Sequence, residues 1–125
     1  MGLLDGLLGN ASEIEPAKVQ AEFQQILAPN ERVEHAYMLI RDYFVFTDKR
    51  LVFVNKQGLT GKKVDYHSIP YRSITHFSIE TAGSFDLDAE LKIWISGQAE
   101  PFSQEFNKKL SIYTVQSVLA SYVLR

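Results

Sequence analysis

Three histidines are the side chains in this sequence best suited to catalysis or metal binding. His35, His67 and His76 lie in separate segments, and no two have the spacing of metal ligands within one helix or strand. No serine stands in a nucleophile-elbow context, and "KQGLTGKK" (56–63) lacks the spacing of a phosphate-binding loop. We therefore predict no catalytic residue, no cofactor and no enzymatic activity.

The acidic residues Asp86, Asp88 and Glu90 have the composition of a metal site. Their spacing of two places them on one face of a strand. The intervening positions 87, 89, 91, 93 and 95 are all apolar, which is the pattern of an amphipathic strand with its acids toward water. The loop and glycine of a calcium site are absent here. The sequence therefore predicts a solvent-facing row of acids and no metal.

Basic residues gather in the sequence around two predicted hairpin ends. Such a cluster can hold an anion such as a phospholipid headgroup, or it can simply keep turns and strand edges soluble. The loop between the first two strands is only "IRDY" (40–43). Arg50 is expected to stabilise its own hairpin turn together with Asp48. The candidate anion patch consists of Lys49, Arg50, Lys56, Lys62, Lys63 and Arg72.

Length and composition limit the classes of protein to which this chain can belong. The chain has 125 residues, a net charge of -2 and no cysteine, which fits one globular domain without disulfides or thiolate metal sites. That charge gives no general attraction to nucleic acid. No stretch is long and apolar enough to span a bilayer, and "MGLLDGLLG" lacks the basic start of a signal peptide. We expect a cytoplasmic protein.

Periodicity predicts two helices flanking a β meander. Residues 11–31 contain a helix with one apolar face, with Pro16 in its first turn and "APN" (28–30) at its end. Residues 110–125 form a second helix with a face of Val115, Val118, Leu119 and Tyr122, and its apolar arc is widened by Ile112, Tyr113, Val123 and Leu124. The connections between the predicted strands are short and rich in turn formers, so neighbouring strands should be antiparallel. The predicted strands are 32–40, 43–47, 50–55, 62–67, 72–80, 85–96 and 100–106.

The second and third strands are apolar on both faces. In "FVFTDKRLVF" (44–53) two apolar runs flank a polar turn, so a bent sheet would leave one face of this hairpin uncovered. Either the N-terminal segment or another subunit must cover it. Trp94 falls on the polar parity of its strand, where a large aromatic is a plausible interface anchor. The candidate oligomer interface consists of Leu3, Leu4, Leu7, Leu8, Val52, Val54 and Trp94.

The whole chain resembles the bacterial pleckstrin-homology-like domain family. The resemblance rests on "TDKRL" (47–51), "HSIPYRSI" (67–74), "ETAG" (80–83) and "FDLDAELKIW" (85–94), in the family's order. It implies an α+β fold of two antiparallel sheets closed by a C-terminal helix. It also implies an N-terminal helical extension over 1–30, a domain over 31–125, and ring-shaped homo-oligomers, with a pentamer as the first expectation.

Two functions follow as hypotheses. The first is a non-enzymatic binding or scaffolding module that self-assembles and recruits a protein partner. The second is a peripheral membrane module that holds anionic lipid at its basic hairpin ends. The short first joint departs from the longer basic loop of lipid-binding pleckstrin-homology domains, so we expect no specificity for phosphoinositides.

Overall fold

The structure of the protein is a computed structural model that describes residues 13–39, 42–57, 62–81, 88–107 and 112–125. Two compact units make up the chain, Met1–Pro70 and Tyr71–Arg125. The leucines at 3, 4, 7 and 8 of the candidate oligomer interface and the acid at 86 lie outside the described residues.

The first unit is a four-stranded antiparallel sheet. Its strands β1 (Val33–Met38), β2 (Tyr43–Thr47), β3 (Arg50–Gln57) and β4 (Lys63–Pro70) pair in chain order, which confirms the predicted meander here. The β2–β3 turn is held by the Thr47 hydroxyl, which accepts the N–H groups of Lys49 at 3.0 Å and Arg50 at 2.9 Å. The strand β4 runs through "SIP" (68–70), which the sequence predicted as a turn.

The N-terminal helix α1 spans Pro16–Glu22 and is shorter than predicted. Pro16 occupies its first turn, and Val19 and Phe23 are buried one turn apart. After Phe23 the chain continues in turns, because tertiary hydrogen bonds outweigh helix propensity in this segment. The N–H of Glu31 donates to Ala28 O at 3.1 Å around Pro29 and Asn30. Asn30 has a φ of 66°, which asparagine tolerates better than most residues.

Helix α1 covers one face of the β2–β3 hairpin. Val45, Val52 and Val54 are buried in a single apolar cluster with Val19 and Phe23 of the N-terminal segment. The side chains on the opposite face of these strands are buried as well. There the Phe44 and Phe53 rings pack edge to face across the strand pair, with their centroids 5.4 Å apart. The central strands are therefore apolar over 44–46 and 51–54 because both of their faces are buried there.

The second unit is a three-stranded sheet with a helix. A 3₁₀ turn (Tyr71–Ser73) leads into β5 (Ile74–Glu80), β6 (Asp88–Ile95) and β7 (Phe102–Asn107), which pair in chain order, and helix α2 (Ile112–Val123) follows. Gly97, with a φ of 85°, lies in the turn where Gln98 N–H donates to Ile95 O at 3.0 Å.

Helix α2 packs against β5, β6 and the 3₁₀ turn. Its buried residues are Ile112, Val115, Leu119 and Tyr122, which confirms three of the four residues of the predicted face. The fourth, Val118, is half-buried. The sequence also placed Tyr113 and Leu124 in the apolar arc, but they are 65% and 71% exposed. Both lie on the side of the helix opposite the buried residues. The buried face of the helix is therefore narrower than the sequence predicted.

Candidate functional site

A buried carboxylate fastens the N-terminal segment to the first sheet. Glu31 is 4% exposed, and it accepts hydrogen bonds from Thr47 Oγ1 at 2.6 Å, Arg50 Nε at 2.8 Å and the Ala28 N–H at 2.8 Å. Burial raises the pKa of Glu31, but these hydrogen bonds and the charge of Arg50 outweigh it and lower the pKa to about 2. The carboxylate is therefore ionised and fully engaged at neutral pH.

Arg50 is the cation of this cluster and not the partner of Asp48. Its guanidinium also donates to Ile26 O at 2.7 Å and Ser68 Oγ at 2.8 Å. Asp48 instead accepts the N–H of Arg32 at 2.8 Å. The predicted Asp48–Arg50 pairing is wrong, because a buried carboxylate contributed by the segment that leads into β1 offers the guanidinium a stronger, desolvated partner.

The other predicted basic residues do not gather at one point. Arg50 is paired with Pro70 at one end of the β3–β4 ladder and Gln57 with Lys63 at the other, about 23 Å away at strand spacing. Lys49 lies at the first end, and Lys56, Lys62 and Lys63 lie at the second. Arg72 belongs to the second unit.

The second end of β3 carries a concave site of about 280 Å³, which we name the tyrosine–lysine groove. The β3–β4 register places the lining residues of this groove side by side, because Val54 is opposite Tyr66 and Lys56 is opposite Val64. The Tyr66 ring meets Phe23 edge to face at 5.8 Å yet is 45% exposed. The groove is lined by Glu22, Phe23, Tyr43, Val54, Lys56, Val64 and Tyr66.

Lys56 supplies the positive charge of the groove. Its Nζ lies 4.8 Å from the centre of the Tyr43 ring and 3.4 Å from the Tyr43 hydroxyl. Among the described residues no carboxylate pairs with this ammonium group. The groove can therefore receive an apolar or aromatic side chain and offer one cation to an acidic or carbonyl oxygen beside it. Sequence reasoning missed it, although the alternation of Val64 and Tyr66 against Lys56 was a usable signal.

A larger hollow of about 600 Å³ lies between α1 and the start of β1. Its main polar side chains already make hydrogen bonds within the protein. Gln20 accepts the N–H of Val33 at 2.7 Å and donates to Glu31 O at 3.2 Å. We therefore place the candidate site in the tyrosine–lysine groove, where an aromatic ring is exposed and a cation has no anionic partner among the described residues.

The described members of the predicted oligomer interface lie in different surroundings. Val52 and Val54 are buried within the first unit beside α1, so their burial is accounted for inside the chain. Trp94 is partly exposed on the second sheet, on the outward parity that the sequence predicted. Its ring is stacked on His76, with the centroids 4.4 Å apart.

Neither a metal site nor a membrane-spanning helix is found in the part of the chain that the structure describes. No group of three or more acidic or histidine side chains there could hold a metal ion. No helix among the same residues is long and apolar enough to cross a bilayer.

Comparison with known proteins places the chain among relatives of similar length. It is 60% identical over 122 residues to YjqA, an uncharacterised protein of Bacillus subtilis, with 97% of this chain and 98% of YjqA covered. It is 33% identical over 102 residues to a second uncharacterised protein of that bacterium, YozO, covering 82% of this chain and 87% of YozO.

Two crystal structures are similar over almost the whole fold. A pleckstrin homology domain from Shewanella amazonensis matches with a TM-score of 0.85 and 54% identity, covering 98% of this chain and 99% of that one. A DUF1696 family protein with a pleckstrin-homology domain, from Shewanella loihica, matches with a TM-score of 0.81 and 49% identity, covering 90% and 96%. The sequence profile of the bacterial PH domain matches residues 2–123, and the chain belongs to the bacterial PH domain family.

Proposed function

We propose that this chain is a non-enzymatic binding module that recruits a protein partner through the tyrosine–lysine groove. Membership of the PH domain family supports a binding role. The observation that carries the proposal is the side-by-side placement of a 45% exposed Tyr66 and an ammonium group, that of Lys56, with no anionic partner among the described residues. Tyrosine is enriched at the residues that dominate protein interfaces, because it buries a large ring at small entropic cost.

The groove favours a protein segment over a lipid headgroup. A headgroup site needs several cations that converge on one phosphate. Lys62 and Lys63 lie at the same end of β3 as Lys56, but only Lys56 lines the groove. Arg50, which could make a bidentate contact, is bound to Glu31. The walls of the groove are aromatic and aliphatic, and Glu22 at its edge opposes a strongly anionic ligand.

Photocrosslinking from the groove tests this proposal. A photoreactive phenylalanine analogue at position 66 should join the protein to one partner in cells. The same analogue at Tyr113, an exposed tyrosine on α2, should not capture that partner. Lys56→Ala should reduce the yield from position 66. Equal capture from positions 66 and 113, or capture of lipid alone, would contradict a protein-binding groove.

The proposal includes self-assembly in the cytoplasm. Their spacing predicts that the leucines at 3, 4, 7 and 8 form one stripe of a short helix, which Gly6 and Gly9 would make too weak to be stable by itself. Docking on a neighbouring subunit would stabilise it, and repetition of one head-to-tail contact closes a ring. A cyclic homo-oligomer of about five subunits would present several copies of the groove to one partner, which raises avidity.

A further inference from the structure

Among the described side chains, the outer face of the second sheet presents three rows. Residues that are paired in register across β5, β6 and β7 form each row, and the inward residues Leu91 and Ile93 are buried on the opposite face. One end of the face carries His76 beside Trp94. A middle row of Ser78, Lys92 and Ser103 follows. The other end carries Glu80, Glu90 and Glu105.

The aromatic end is a flat platform that is open to solvent. The His76 and Trp94 rings are nearly parallel, at 15° with centroids 4.4 Å apart. His76 is exposed and Trp94 partly exposed. Thr75 lies beside the pair, where its hydroxyl donates to the backbone carbonyl of Trp94 at 3.2 Å and lies 3.0 Å from His76 Nδ1. A preorganised aromatic surface of this kind can take an arginine side chain or another flat group at small entropic cost.

The acidic end is an arrangement that the fold itself does not explain. Glu80 stands opposite Glu90, and Glu90 stands opposite Glu105, so three carboxylates cross the sheet in line. Like charges directly opposite each other destabilise a sheet. Lys92 compensates weakly, since its Nζ is 3.9 Å from Glu90 Oε1 and both side chains are about one-third exposed. A positively charged partner would relieve this repulsion.

We propose that this face binds a cationic segment of another protein. An arginine or flat side chain of the segment lies on the His76–Trp94 platform, and further lysines or arginines lie against the three glutamates. The two end rows are four residues apart along each strand, about 13 Å, which an extended segment bridges with basic residues at i and i+4. Two copies of this chain pressed together by this face would bring six glutamates together, so charge opposes a symmetric contact between copies. The surface is separate from the tyrosine–lysine groove and adds a second partner site.

Trp94 is the one tryptophan of the sequence, so its emission reports directly on this face. Deca-arginine added to the full-length protein should change Trp94 emission saturably, and deca-glutamate should not. The affinity should fall as salt is raised. Glu105→Lys should weaken deca-arginine binding by about tenfold. Glu105→Lys should not lower the unfolding temperature, because it removes a repulsive pair.

Glu100→Lys is the matched control, because it makes the same change in net charge in the exposed turn between β6 and β7, outside the three rows. Weakening by less than about twofold is expected for it. The proposal is overturned if deca-arginine leaves Trp94 emission unchanged, or if Glu100→Lys and Glu105→Lys weaken binding equally. It is also overturned if Trp94→Arg lowers the mass of the assembly in light scattering, because a second copy would then occupy the face.

Discussion

Glu31 and Arg50 are 19 residues apart in the sequence, and their side chains form a two-point ion pair with N–O distances of 2.8 and 2.9 Å. Glu31 lies in the segment between α1 and β1, whereas Arg50 begins β3. The pair therefore holds the N-terminal segment on the sheet that it covers.

Removing the cation of this pair should destabilise the first unit strongly. Arg50→Ala leaves the Glu31 carboxylate buried without its charged partner, which should reduce the free energy of unfolding by about 3 kcal/mol. Urea denaturation measures the loss. Lys49→Ala, at the adjacent exposed position, should change stability by less than about 0.5 kcal/mol. Similar small losses in both variants would show that the ion pair contributes little.

The stability of the protein should fall in acid because of Glu31. The pKa of this carboxyl is lowered from 4.5 to about 2 in the folded protein, so its contribution is complete above pH 4.5 and is lost as the pH falls towards 2. The loss should be about 3 kcal/mol. Urea unfolding at a series of pH values should show a shallower acid decline for Glu31→Gln than for the wild type. Parallel curves for the two proteins would rule out this assignment.

Two leucines of the C-terminal helix offer a matched test of its packing. Leu119 is fully buried and Leu124 is 71% exposed. Leu119→Ala should cost roughly 2–5 kcal/mol, because a cavity adds to the lost burial. Leu124→Ala should cost less than about 0.5 kcal/mol. Thermal or urea unfolding would decide, and a Leu119→Ala loss as small as that of Leu124→Ala would mean that this helix face is not part of the core.

Lipid binding should show no preference among headgroups. The cations that remain together at one end of β3 are Lys56, Lys62 and Lys63, and none of them makes the bidentate contacts of an arginine. Co-sedimentation should therefore be equal for vesicles with phosphoinositide and for vesicles with phosphatidylserine at the same total charge. A low-micromolar Kd for one phosphoinositide, abolished by Lys62→Glu with Lys63→Glu, would establish a headgroup site instead.

The protein should form a particle larger than a dimer. Light scattering at micromolar concentration measures its mass directly. Leu4→Glu together with Leu7→Glu should lower that mass if the leucine stripe docks on a neighbouring subunit, because buried unpaired charges are costly. The same substitution at the exposed Leu124 serves as the control. A monomeric wild type would contradict self-assembly altogether.

Local patterns predicted most of the architecture. Alternation, apolar runs and turn residues located the seven strands of the described residues, because these signals lie within a few neighbouring residues. The apolar runs around Thr47–Arg50 indicated the β2–β3 hairpin, and the parity of Trp94 indicated an outward position. These signals are local, so a single sequence carries them.

The remaining features depend on contacts between distant segments. No local pattern joins Glu31 to Arg50, and Asp48 was the nearer anion in the sequence. Helix α1 ends at Glu22, and beyond it Arg50 donates to the carbonyl of Ile26. The tyrosine–lysine groove exists because the β3–β4 register places Tyr66 opposite Val54, while α1 brings Phe23 beside it. Register and helix docking are tertiary properties that propensity does not determine.

Helix α1 has a consequence for the order of events during synthesis. Seven residues form too short a helix to persist in water, so residues 16–22 cannot hold their shape when they leave the ribosome. The surface on which α1 packs includes Val45 and Val52, which emerge later. Helix α1 can therefore become stable only once the β2–β3 hairpin offers this apolar face. Among the described helices α1 is synthesised first, yet it folds only when the later hairpin is present, and until it docks that valine face is available to chaperones.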